Sequence, residues 1–127
     1  MKIPTAFLLI AGAYGLAAVV LGAFGAHALD ARLVELGTKA VWETAVDYQM
    51  WHALAILVIV ALRFKGGLVD AAAFSFSIGI PLFSGSLYWL ALDGPRWLGP
   101  ITPLGGLLFI VGWILFMIAA FRHEANS

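Results

Sequence analysis

Cysteine is absent, so no disulfide, thiolate metal site or cysteine nucleophile can form, and the redox state of the compartment leaves no mark on the sequence. Charge is scarce: 11% of the 127 residues are Asp, Glu, Lys or Arg, against about 25% in soluble domains. Lys and Arg balance Asp and Glu at seven each. That removes the basic excess a nucleic acid would require, and no nucleic-acid partner is expected. Also missing are a nucleophile paired with a base, a phosphate-binding glycine loop and a dinucleotide fingerprint, so no enzymatic activity is expected. What is abundant is apolar. Hydrophobic residues make up 63% of the chain, against roughly 45–50% in soluble domains. The expectation is one all-α integral membrane domain over residues 1–127.

Four runs are long enough to cross a bilayer, about 5–26, 39–62, 71–92 and 103–121. The first follows Lys2 and ends in Ala26-His27-Ala28, which imitates a secretory signal with its cleavage site. A signal's apolar region is only about 7–15 residues, so retention as a membrane helix is expected. Between the first two runs, Asp30, Arg32 and Glu35 alternate with Leu29, Leu33 and Leu36 at helical spacing. This predicts a short amphipathic helix in the interface over about 29–37, closed by Gly37. Thr38, Asp70 and Thr102 are expected to cap the second, third and fourth spans, with Pro103 at N1 of the last. Pro81, amid the third span, predicts a kink, because it removes a backbone N–H and crowds the carbonyl of Ser77.

Ala11, Gly15, Ala18 and Gly22 recur at steps of three and four along the first span, as Gly105 and Gly112 do along the fourth. Lipid offers no hydrophobic force between helices, so such stripes mark faces for close packing. Four spans put both termini on one side. Lys2, Arg63, Lys65 and Arg122 fall there, against Arg32, Lys39 and Arg96 on the other, which leans towards both termini in the cytoplasm or, in an organelle, on the equivalent side. Trp42, Trp51, Trp89 and Trp97 cluster on the opposite side, as an interfacial belt would.

Polar residues concentrate on that same side. His27 leaves the first span; Glu43, Asp47, Tyr48, Gln49 and His52 enter the second; Ser84, Ser86 and Tyr88 leave the third; Thr102 enters the fourth. Topology therefore predicts that these ten converge in one half of the bilayer, where unpaired polar groups are costly. Three chemistries are open. His27 and His52 with Glu43 or Asp47 could hold a metal, but the Glu-x-x-His pairs of di-iron bundles are replaced by Gln49-x-x-His52, and no metal or cofactor is expected. Asp47, Tyr48 and His52 could relay protons. An interhelical hydrogen-bond network that fixes which helix faces which is the simplest use.

Gly22-Ala23-Phe24-Gly25-Ala26-His27-Ala28-Leu29, Tyr48-Gln49-Met50-Trp51-His52-Ala53-Leu54-Ala55, Leu82-Phe83-Ser84-Gly85-Ser86-Leu87-Tyr88 and Gly99-Pro100-Ile101-Thr102-Pro103-Leu104-Gly105-Gly106 stand in this order along the chain. Together they resemble the small membrane-protein family represented by bacterial YgdD and eukaryotic transmembrane protein 256. The resemblance implies a four-helix protein of the bacterial inner membrane or of mitochondria, classed as a domain of unknown function. It implies no activity and no catalytic residues. The expected role is that of a non-enzymatic, self-associating structural or membrane-organising protein whose partners are lipid, further copies or another membrane protein. The alternative is a small channel or carrier for protons or a small solute.

Overall fold

A computed structural model describes residues 1–62, 64 and 66–126. Among the described residues five helices form: α1 (Ile3–Ala26), α2 (Asp30–Leu36), α3 (Lys39–Leu62), α4 (Gly67–Ala91) and α5 (Ile101–Ala125). All but α2 are long and apolar enough to cross a membrane. There is no strand among the described residues. Arg63 and Lys65, two positions of the charge count, lie outside the described residues.

Small residues let the long helices approach closely, and large apolar side chains from neighbouring helices seat on them. α1 runs along α3, α3 meets α4, and α4 runs along α5. Ala11 and Ala18 are buried on α1, and a Cβ at Gly25 would strike the Trp42 indole at 2.4 Å. On α5, a Cβ at Gly105 would lie 2.3 Å from the Phe83 backbone nitrogen, and one at Gly112 would lie 2.5 Å from the Phe76 ring. Gly15 differs from the rest of its stripe, with nothing within 4 Å of the added carbon. Both stripes are therefore mostly consumed in closing the bundle itself. The main core holds Phe7, Ile56, Ile59, Phe76, Ile80 and Phe109, while Leu33, Trp42 and Ala91 form a smaller cluster under α2.

α2 ends as its glycine predicts. Gly37 takes φ +70°, its N–H reaches the Val34 carbonyl, and the Thr38 N–H reaches Leu33, which completes a Schellman stop. Arg32 pairs with Glu35 at 3.3 Å, and Lys39 pairs with Asp30.

The three expected caps are arranged differently. Thr38 stands just before α3, but its hydroxyl donates to the Ala91 carbonyl at 2.6 Å and so ties the start of α3 to the end of α4. Asp70 sits inside the first turn, because α4 starts at Gly67; there its carboxylate still favours the positive end of the helix dipole. α5 starts at Ile101, which places Thr102 and Pro103 within its first turn. Proline is tolerated there because the first-turn N–H groups have no helical acceptor. Trp42 is not part of an interfacial belt. Its ring is buried and its Nε1–H donates to the Leu21 carbonyl at 2.9 Å, whereas Trp89 and Trp97 are exposed and meet edge to face.

At Pro81 the chain forms a π turn over Pro81–Gly85. The proline cannot donate to Ser77, four residues back, and the Tyr14 hydroxyl of α1 supplies the missing donor at 2.8 Å. One sequence feature thus creates a vacancy on α4 that a side chain from α1 fills.

Candidate functional site

Gln49 is the hub of the polar residues. It is 4% exposed, and its position on α3 turns it inward beside Ala45, His52 and Ala53. Its Oε1 accepts the Tyr88 hydroxyl of α4 at 2.7 Å, and its Nε2 donates to the Tyr14 carbonyl of α1 at 2.8 Å. Tyr14 in turn donates to Ser77 of α4. Three helices are joined in a closed circuit, each link using a group that would be costly to leave bare in lipid.

Further ties flank this circuit. Ser84, fully buried, donates to the Ala45 carbonyl at 2.7 Å and fastens the π turn to α3. Ser86 Oγ and Thr102 Oγ1 lie 2.6 Å apart across α4 and α5, and Ser86 is also within reach of the Leu82 and Phe83 carbonyls. Ser75 donates to the Leu108 carbonyl of α5 at 2.6 Å. Among the described residues no buried side-chain nitrogen or oxygen lacks a partner.

His52 is buried against the Phe109 ring, with centroids 3.7 Å apart and planes 7° from parallel. Its Nε2 accepts the Trp113 indole N–H at 3.1 Å, so Nδ1 carries the proton and donates to the Tyr48 carbonyl at 2.7 Å. These bonds describe a neutral imidazole with both nitrogens occupied.

Of the ten polar residues singled out, Gln49, His52, Ser84, Ser86, Tyr88 and Thr102 are bonded into these ties, and Tyr48 joins through its carbonyl and its ring. His27, Glu43 and Asp47 are exposed. The two carboxylates border a notch of about 120 Å³ between α1 and α3, floored by Gly22, Gly25 and Trp42. His27 and His52 are not brought together, and among the described residues no three His, Asp or Glu side chains form a metal-binding group. Tyr14, Thr38, Ser75 and Trp113 belong to the ties but carry no motif. Their signal is only that each is a donor set in or beside an apolar span, which must find an acceptor.

Beside the network, between α3 and α5, lies an open groove of about 620 Å³. Tyr48, Trp51, His52, Phe83, Phe109 and Trp113 give it aromatic walls. A second groove of about 730 Å³ lies at the other end of the bundle, among Phe7, Leu57, Val60, Phe64 and Asp70.

Residues 21–106 match the family model described as protein of unknown function (DUF423). The chain is 42% identical over 120 residues to the UPF0382 membrane protein YwdK of Bacillus subtilis, a match covering 92% of this chain and 97% of that one. It is 42% identical over 117 residues to a UPF0382 membrane protein of Staphylococcus haemolyticus, covering 91% and 95% respectively. A relative from Staphylococcus epidermidis is 43% identical over 117 residues, with the same coverage. No solved structure matches the chain. With its four apolar spans, its all-helical fold and relatives named as membrane proteins over almost their whole length, the chain belongs to the DUF423 family and is a multi-pass membrane protein.

Proposed function

We propose that this protein is a non-enzymatic, membrane-organising component that acts through its outward faces, by self-association or by docking a membrane partner. The observation that carries this reading is the closed interior. The donors from Tyr14, Gln49, Ser84, Tyr88 and Trp113 are all spent on acceptors of the chain itself, which leaves a rigid body whose contacts with others lie outside. The outward side of α1 supports a second copy as the partner. Gly12 and Gly15 have nothing within 4 Å of an added Cβ, and Leu16 and Val19 beside them are exposed. A backbone free to approach another helix closely is what membrane association uses.

The test is site-directed cross-linking in membranes, combined with sizing in several mild detergents. A trapped oligomer that weakens on Gly15→Leu, at unchanged thermal stability, is expected. A monomer in every detergent, with no oligomer or partner trapped in membranes, would end this reading. The carrier alternative draws on the π turn at Pro81, since broken spans often line transport paths. It has less support, because the groups freed there are taken up by Tyr14 and Ser86.

A further inference from the structure

We infer that the bond between Trp113 and His52 is an acid-sensitive latch: a second proton on the His52 ring opens the seam between α3 and α5 while the rest of the bundle stays closed. This goes beyond the organising role and does not depend on whether the chain self-associates.

The neighbours of the ring dictate its protonation state. The Tyr48 carbonyl can only accept, so Nδ1 carries a proton; the Trp113 indole can only donate, so Nε2 is bare. A proton added at Nε2 sets two donors head to head, and the bond between the helices is lost. Packing decides which partner moves. His52 is buried and lies flat on Phe109, and the face of an aromatic ring attracts a cation. The charged imidazole therefore keeps its seat, and the Trp113 indole, 43% exposed at the edge of the open groove, turns away.

No other group takes over the new charge. α4 faces the ring with Phe76 and carries no charged residue between Asp70 and its end at Ala91. α5 faces it with Phe109 and Trp113 and carries none before Arg122, and α1 carries none at all. The Tyr14 and Tyr88 hydroxyls are engaged with Ser77 and Gln49. On α3 itself, Tyr48 is the titratable neighbour, with ring centroids 6.1 Å apart. Glu43 and Asp47 are exposed, and Asp47 stands about 140° round the helix from His52 at 3.6 residues per turn. No carboxylate replaces the broken bond.

The opening is local. Among the described residues, Trp113 to His52 is the one side-chain hydrogen bond between α3 and α5. α5 rests mainly on α4, where Ser75 donates to the Leu108 carbonyl, Ser86 meets Thr102, and Gly105 and Gly112 seat Phe83 and Phe76. None of those ties contains a group that titrates with histidine. Protons reach the ring from nearby: it lines the open groove, and the exposed Asp47, about 7.5 Å before it along α3, suits only a wet boundary.

The experiment uses the full chain in phosphatidylcholine nanodiscs, with His27→Gln and His123→Gln at two exposed positions so that His52 is the sole imidazole. A titration from about pH 8 to about pH 4, spanning the range in which histidine changes charge, follows the His52 ring, the Trp113 indole N–H and the Gln49 amide together by nuclear magnetic resonance. The indole resonance is identified by its loss in Trp113→Phe. It is expected to move with the same midpoint as the His52 ring, to the position that His52→Phe shows at every pH, and to return on neutralisation, while the Gln49 amide stays in place. Should His52→Phe fail to fold, the coincidence of the two midpoints and the fixed Gln49 amide carry the test. The inference is overturned if His52 takes up no proton in that range, if it does so while the indole stays in place, if the indole moves equally in His52→Phe, or if the Gln49 amide shifts with it, as general loosening of the bundle would require.

Discussion

The Tyr88 hydroxyl meets Oε1 of Gln49 at 2.7 Å across the seam between α3 and α4. Because Gln49 also holds the Tyr14 carbonyl, one amide fixes the relative rotation of three spans. Gln49→Leu leaves the Tyr88 hydroxyl without its acceptor and is expected to lower stability by about 1–2 kcal/mol. Tyr88→Phe should cost about 1 kcal/mol or less, as membrane hydrogen bonds do. The double variant should lose less than the sum, since each change removes the same bond. Unfolding of the purified protein by sodium dodecyl sulfate in mild detergent measures all three.

Tyr14 and Pro81 should be coupled. In Tyr14→Phe the Ser77 carbonyl loses the tyrosine donor and cannot recover the N–H that Pro81 lacks, and a loss of about 1 kcal/mol is expected. In a Pro81→Ala background the restored N–H can take the Ser77 carbonyl. There the same Tyr14→Phe change should cost close to nothing, and an undiminished cost in that background would show that the π turn has another origin.

The neighbouring glycines Gly105 and Gly106 should behave oppositely. An alanine Cβ at Gly105 meets the Phe83 backbone at 2.3 Å, which cannot yield as a side-chain tip can. Gly105→Ala is expected to cost about 2 kcal/mol or more. Gly106→Ala should stay within about 0.5 kcal/mol of the parent. Thermal melts followed by circular dichroism separate the two.

His52→Phe keeps a ring of similar size against Phe109 but removes the acceptor of the Trp113 indole. A loss of about 1 kcal/mol with the fold intact is expected. Tryptophan emission should change with it, because the indole N–H loses its bond; an unchanged spectrum and melt would show that this contact contributes nothing.

The spans were legible in the sequence because apolar runs bounded by charge or by Gly and Pro have few other solutions in a chain this poor in charge. The Gly37 stop was legible for the same local reason. Which polar residues meet was only partly so. Asp47 and Gln49 are two positions apart, roughly 200° around a helix at 3.6 residues per turn, so they cannot face one interior. Topology placed both at the same depth and could not tell the sides apart. In the structure Glu43 and Asp47 are exposed, while Ala45, Gln49 and Ala53 are buried. Trp42 carried the signature of an interfacial residue, yet Gly25 opens a seat for its ring that no local pattern announces. Thr102-Pro103 looked like a cap because proline suits the whole first turn, not its first position alone.

On the proposed function, the polar half of this bundle is a structural lock and not a path. Flux through vesicles containing the purified protein tests it most directly, with protons and small solutes followed across a range of pH and compared with empty vesicles. No flux above the empty vesicles is expected, with Gln49→Leu and His52→Phe altering stability alone. A saturable flux that disappears in His52→Phe while the melting temperature stays unchanged would make the cluster a path instead.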